Sequence, residues 1–140
     1  MRESIEPPLS LYVHLPWCIS KCPYCDFNSH TAGNSAPKER YLKAVQIDLK
    51  LEAQRAAGRS LMSVFIGGGT PNFFSNFEIE QLIDLIAGEF SLQPDIEITM
   101  EANPGTVEHG CMRNYATAGV NRLSLGAQSF NVESLRKLGR

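Results

Sequence analysis

Apolar and polar residues alternate along this chain in two rhythms, and the switches between them predict the elements. LYVHL at 11–15 reads as a short strand, and a polar, cysteine-bearing loop follows it. Pro37 then opens a helix from Lys38 to Ala57. Tyr41, Leu42, Val45, Leu49 and Ala53 form its apolar stripe, and Gly58 stops it. MSVFIG at 62–67 is a continuous apolar run, the pattern of a strand buried on both faces. GGGTPNFFS is its exit loop. Helical spacing returns from Phe77 to Phe90 through Ile79, Leu82, Ile83, Leu85 and Ile86. DIEITMEANP at 95–104 is a third strand. A helix from Thr106 (its N-cap) to Ala118 ends at Gly119, strand 120–130 follows, and a last helix starts near Asn131.

Strand and helix thus alternate four times, which predicts right-handed crossovers and a parallel α/β sheet. The final helix stops after about two turns, and four βα units leave the last strand with an open edge. We therefore expect residues 1–140 to be the N-terminal part of a longer protein. A small open four-stranded sandwich is the alternative. The charge of −2 gives no support to a nucleic-acid partner, and no apolar run is long enough for a transmembrane segment. The polar N-terminus is not a secretory signal, so the expected location is cytoplasmic.

Cysteine usage sharpens this picture. Cys18, Cys22 and Cys25 fall in a C-x3-C-x2-C pattern directly after the first strand, at the end where parallel α/β folds place their sites. In a reducing compartment such clustering points to metal or redox chemistry rather than disulfides. Three thiolates can ligate three irons of a cubane and leave the fourth open. The competing reading is a structural Cys3His zinc module completed by His14 or His30. Cys111 stands apart and reads as an inert thiol in a helix, with His109 on that helix's solvated side. His14 is expected to pack or hydrogen-bond under the loop. Asp26, Asn28 and Ser29 are expected to shape the loop through side-chain bonds to backbone. Gly67, Gly68 and Gly69 allow either close approach of a ligand or a tight strand-to-helix turn. Glu101 and Gln128 are polar groups at strand ends, facing a ligand or bonding backbone.

The segment YVHLPWCISKCPYCDF resembles the cluster loop of the radical S-adenosylmethionine superfamily, whose hallmark is C-x3-C-x-aromatic-C; Tyr24 is the aromatic. Four blocks in order resemble the oxygen-independent coproporphyrinogen III oxidase family within it. They are Y-x-H-L-P-x-C at 12–18, FIGGGTP at 65–71, EITMEANPGT at 97–106 and NRLSLGAQSFN at 121–131.

This resemblance implies the N-terminal part of a partial TIM-like radical SAM barrel. It also implies a [4Fe–4S] cluster on Cys18, Cys22 and Cys25, with S-adenosylmethionine chelated by the open iron. By the same resemblance, Tyr12, Gly68 and Glu101 contact that S-adenosylmethionine. Tyr24, Gly69, Thr70, Gln128 and Arg140 match positions that the true oxidases use for a second molecule. Those oxidases place a fourth cysteine two residues after the third; here Phe27 stands there. Phe27 and the DFNS and EANPGT segments resemble the HemW-type haem-chaperone branch. Haem, haem-acceptor proteins and an electron donor such as a flavodoxin or ferredoxin are the implied partners. Oxidative decarboxylation of coproporphyrinogen III is the alternative activity.

Overall fold

The computed structural model describes residues 6–33, 36–104 and 109–140, with the side chains of 109–111 outside that description. Strands β1 (Leu9–Leu15), β4 (Leu61–Gly68), β5 (Leu92–Ala102) and β6 (Arg122–Leu125) form one sheet in that order, and all neighbours are parallel. Helices α1 (Lys38–Arg55), α2 (Asn76–Glu89) and α3 (His109–Thr117) make the three crossovers, and α4 (Val132–Lys137) follows β6. The parallel α/β order read from the sequence is the order found.

α1 packs on α2 and α2 on α3, covering one face of the sheet. Val13 and Leu15, Val64 and Ile66, and Ile98 and Met100 meet Leu42, Leu49, Ile79, Leu82 and Ile86 there. Ser75 starts α2 with a capping box: its hydroxyl accepts the Glu78 N–H, and the Glu78 carboxylate accepts the Ser75 N–H. Lys38 at the start of α1 reaches the same carboxylate at 3.2 Å. The Lys38 ammonium also donates to the Phe73 carbonyl at 2.8 Å and lies 4.2 Å from the Phe73 ring centre.

Several expectations need correction. β4 is not buried on both faces. Val64 and Ile66 are sealed under the helices, while Ser63 and Phe65 are half-buried on the opposite face. The strand expected over 120–130 ends at Leu125, because Gly126 to Phe130 leave the ladder and Gln128 turns to φ +63°. Gln128 therefore does not end a strand. β5 begins earlier than expected, at Leu92, and α1 ends at Arg55. A two-residue parallel bridge between β2 (Trp17–Cys18) and β3 (His30–Thr31) was not expected at all. The proposed N-cap at Thr106 and the side chains of His109 and Cys111 lie outside the described residues. Among the described residues no helix is long and apolar enough to cross a membrane.

Candidate functional site

Register decides what meets at the carboxyl end of the sheet. Because side chains alternate, the face away from the helices carries Tyr12 on β1, Phe65 on β4, Thr99 on β5 and Arg122 on β6 in one row. Tyr12 and Phe65 stack with ring centres 6.1 Å apart. One step further lie His14 opposite Gly67, and Glu101 opposite Ser124. The Glu101 carboxylate accepts the Gly68 N–H at 3.1 Å, which is the backbone-bonding role the sequence left open for it.

Beyond the strand ends two loops lie against each other. The cysteine loop is pinned at its base by the β2–β3 bridge, where His30 N–H donates to the Pro16 carbonyl and Ala32 N–H to the Cys18 carbonyl. The glycine loop is tied to it by Gly69 N–H to Leu15 and Thr70 N–H to Trp17, both at 2.8 Å. The approach is close enough to demand glycine. Gly68 sits at φ +116°, and a Cβ there would lie 2.8 Å from the Leu15 carbonyl oxygen. A Cβ on Gly69 would lie 2.6 Å from the Trp17 carbonyl oxygen and 3.0 Å from the Cys18 sulfur. The tight-turn reading of these glycines is thus realised through contact with the cysteine loop.

His14 braces the loop from below. Its Nε2 lies 2.8 Å from the Asn28 carbonyl oxygen, which can only accept, so Nε2 carries the proton. In the neutral ring Nδ1 then accepts the Tyr12 hydroxyl at 2.9 Å. Partial burial, and after it the Glu101 carboxylate, push the Tyr12 phenol above its usual range and keep it a donor. Lys21 adds a second brace, donating to the Phe27 and Ser29 carbonyls. The expected shaping by Asp26, Asn28 and Ser29 side chains is not what is found. The Ser29 hydroxyl is buried and makes no hydrogen bond, and the loop's own carbonyls are held instead by His14 and Lys21.

The result is a cleft of about 180 Å³. Cys18, Cys22 and Cys25 line it as free thiols, together with Tyr24 and Phe27. Gly68, Gly69, Thr70, Glu101, Gln128 and Arg140 complete the lining. Arg140 Nε donates to the Tyr24 hydroxyl at 3.2 Å. Of the residues expected to hold the cluster or contact S-adenosylmethionine, Tyr12 alone stands outside this lining, and its hydroxyl is bonded to His14. Asn103, Ser124 and Gly126 also line the cleft. Sequence reasoning missed Ser124, which the β5–β6 register sets opposite Glu101. Among the described residues, no three His, Cys, Asp or Glu side chains converge on a point that one metal ion would occupy. With both its ring nitrogens engaged, His14 is not free to complete a zinc site.

The geometry agrees with what the chain is similar to. A heme chaperone HemW of Escherichia coli (strain K12) is 50% identical over 134 residues, which are 96% of this chain and 35% of that protein. The oxygen-independent coproporphyrinogen III oxidase of the same organism is 35% identical over 135 residues, covering 96% of this chain and 30% of the oxidase. The solved structure described as coproporphyrinogen III oxidase (HemN) from Escherichia coli, a radical SAM enzyme, superposes with a TM-score of 0.86 at 35% identity. It covers 96% of this chain and 31% of that one. The chain thus spans about a third of the length of these relatives, as their N-terminal barrel portion. The Radical SAM superfamily pattern matches residues 12–140, from the Tyr12 row of the sheet to the Arg140 end of the cleft, and the chain belongs to that superfamily.

Proposed function

We propose that this chain holds a [4Fe–4S] cluster on Cys18, Cys22 and Cys25, binds S-adenosylmethionine in the adjoining cleft, and serves a haem chaperone of the HemW type. The observation that carries the chaperone reading is Phe27. It lines the cleft where the oxidases have a fourth cysteine, and identity is higher to the chaperone than to the oxidase.

The residues present suit the cluster. Three free thiols line one cleft, no histidine is among the described residues that line it, and the missing Gly69 Cβ leaves the Cys18 sulfur its room. When bound, such a cluster supplies one electron for reductive cleavage of the sulfonium. The chain's own residues position and exclude. The His14 and Lys21 braces hold the loop that carries the thiolates. Glu101 offers an acceptor for an ammonium group, and the glycine loop lets backbone approach the ligand. Tyr24, Gly69, Thr70, Gln128 and Arg140 line the same cleft and are the positions a second S-adenosylmethionine would use. Haem and its acceptor proteins are partners of the whole protein, and an acidic flavodoxin or ferredoxin is its electron donor. The clustering of Cys18, Cys22 and Cys25, read as cluster ligands, supports a cytoplasmic setting.

The test uses the full-length protein reconstituted without oxygen and given coproporphyrinogen III, S-adenosylmethionine and a strong reductant. No protoporphyrinogen, together with stoichiometric haem uptake in a spectral titration, is the expected result. Turnover to protoporphyrinogen would overturn the chaperone reading and make the protein a decarboxylating oxidase.

A further inference from the structure

The sheet divides at its carboxyl end. Among the described residues the last β4–β5 pair is Ile66 with Met100. Beyond it β4 stays with β1, as far as Gly68 opposite Leu15, and β5 stays with β6, as far as Ala102 opposite Leu125. Both exits line the cleft, through residues 68–71 after β4 and 101–103 at the end of β5.

Hydrogen bonds in opposite senses span this gap. The Gly68 N–H donates to the Glu101 carboxylate at 3.1 Å, and the Asn103 N–H donates to the Asn72 side-chain oxygen at 3.2 Å. Each exit lends a side chain to the backbone of the other, the reciprocity of a capping box made across a sheet. The two ties differ in what else they do. Glu101 lines the cleft and is the acceptor offered to a ligand's ammonium group in the reading above. Asn72 is half-buried and is not among the described residues that line the cleft.

The turn that carries Asn72 is anchored by two helices. Tyr115 on α3 donates to the Phe74 carbonyl at 3.0 Å and to the Asn72 carbonyl at 3.4 Å, and Lys38 on α1 donates to the Phe73 carbonyl at 2.8 Å. Asparagine in a turn often does no more than bond its own neighbouring backbone. Here the bonded N–H lies 31 residues further on, at the exit of another strand. A side chain on a braced turn that grips the end of a strand past its ladder fixes where that end lies.

We infer that Asn72 is a positioning residue that sets the width of this division, and through it the fit of the cleft to S-adenosylmethionine, an inference that rests on the binding reading above. When the ligand engages Glu101, the Asn72 tie still holds the β5 exit to the glycine loop. Without it the exit samples wider arrangements, and affinity falls in proportion to the time the fitted arrangement is occupied.

The experiment uses the full-length protein with its cluster reconstituted without oxygen. It reads the dissociation constant of S-adenosylmethionine by equilibrium dialysis, iron bound per chain, and the midpoint of urea unfolding. Asn72→Leu keeps the volume and removes the acceptor, Asn72→Ser removes the reach and leaves the turn polar, and Asn72→Asp keeps the acceptor. Ser63→Ala deletes the Ser63–Ser10 hydroxyl bond at the other end of the sheet, as a control for loss of a hydrogen bond in general. Asn72→Leu and Asn72→Ser should each weaken S-adenosylmethionine about tenfold with iron unchanged, and Asn72→Asp should stay within about threefold of wild type. Ser63→Ala should lower the urea midpoint and leave the affinity as it is. Wild-type affinity in whichever of Asn72→Leu and Asn72→Ser folds would overturn the inference, as would an Asn72→Asp or Ser63→Ala protein that binds as weakly as they do. A cluster-loaded wild type that binds no S-adenosylmethionine would overturn the binding reading, and this inference with it.

Discussion

Gly69→Ala isolates the contact on which the cleft depends. The added methyl would sit 2.6 Å from the Trp17 carbonyl oxygen and 2.8 Å from its carbon. Reaching 3.0 Å, the shortest approach that real Cβ atoms make, requires the two loops to part by about 0.4 Å. Neither can yield cheaply. Trp17 accepts the Thr70 N–H, pairs with His30 across the bridge, and presses its ring edgewise on Tyr41 at 5.0 Å. Overpacking of this kind costs about 1–3 kcal/mol, and the lower entropy of the unfolded Ala chain returns about 0.4–1. The expected net loss is therefore about 1–2 kcal/mol, read from the midpoint of urea unfolding at constant slope. Iron bound after reconstitution should fall as well, because the same methyl lies 3.0 Å from the Cys18 sulfur. Gly88→Ala is the matched control. It is exposed inside α2, a Cβ there meets nothing within 4 Å, and the substitution should gain about 0.5–1 kcal/mol. A Gly69→Ala protein as stable as wild type and loading its full iron would refute the reasoning.

Other expectations follow from the same contacts. Cys22→Ser and Cys25→Ser should each abolish the brown absorption of the reconstituted protein and lower bound iron well below wild type, with secondary structure by circular dichroism unchanged. His14→Phe leaves the Asn28 carbonyl and the Tyr12 hydroxyl without their partner, and should cost about 1–3 kcal/mol in urea unfolding. Burial acts to raise the Glu78 carboxyl, but its bonds to Ser75 and Lys38 outweigh that and hold it below the usual carboxylate range. Its contribution is thus complete above the unfolded value near 4.3 and is lost as pH falls through the lower folded value. Glu78→Gln should therefore cost about 1 kcal/mol at pH 7, and the two proteins should converge as the pH falls through that lowered folded value.

How far the sequence carried depends on whether a feature is set locally. The helices were legible because Leu42, Leu49, Ile79, Leu82 and Ile86 repeat at helical spacing, and each is buried where that spacing put it. The parallel order followed from alternation alone. The half-open second face of the sheet was not legible, since Phe65 in an apolar run looks the same whether a helix or a cleft lies above it. Nor was the β2–β3 bridge, two residues long and held by bonds between Pro16 and His30 and between Cys18 and Ala32. Strand β6 was overread because the alternation of Leu123 and Leu125 runs on into Gly126 to Phe130, a stretch that has left the ladder and contains the positive φ of Gln128. The cysteines and most of the cleft lining were legible as motifs. Of their braces, His14 was legible as a residue that packs or hydrogen-bonds under the loop, whereas Lys21 was not, because it acts on carbonyls, and carbonyls carry no residue-type signal.

That last point changes how the glycine run should be understood. Gly67, Gly68 and Gly69 each have the place of a Cβ taken by atoms of this same chain. At Gly67 these are the Phe65 ring, the Glu101 carboxylate and the Tyr12 ring; at Gly68 they are the Leu15 carbonyl and His14; at Gly69 they are Trp17 and Cys18. A ligand is therefore not needed to explain why glycine stands at any of the three. What the run accomplishes is to bring the exit of β4 against the exit of β1, so that the thiols of one loop and the backbone of the other line a single cleft. Ligand contacts are then available to Thr70 and to the free edge of the glycine backbone as a consequence of that fit. Lengthening a side chain in the run should accordingly damage stability and iron loading together, whereas a substitution of the exposed Gln128 side chain should affect ligand affinity alone.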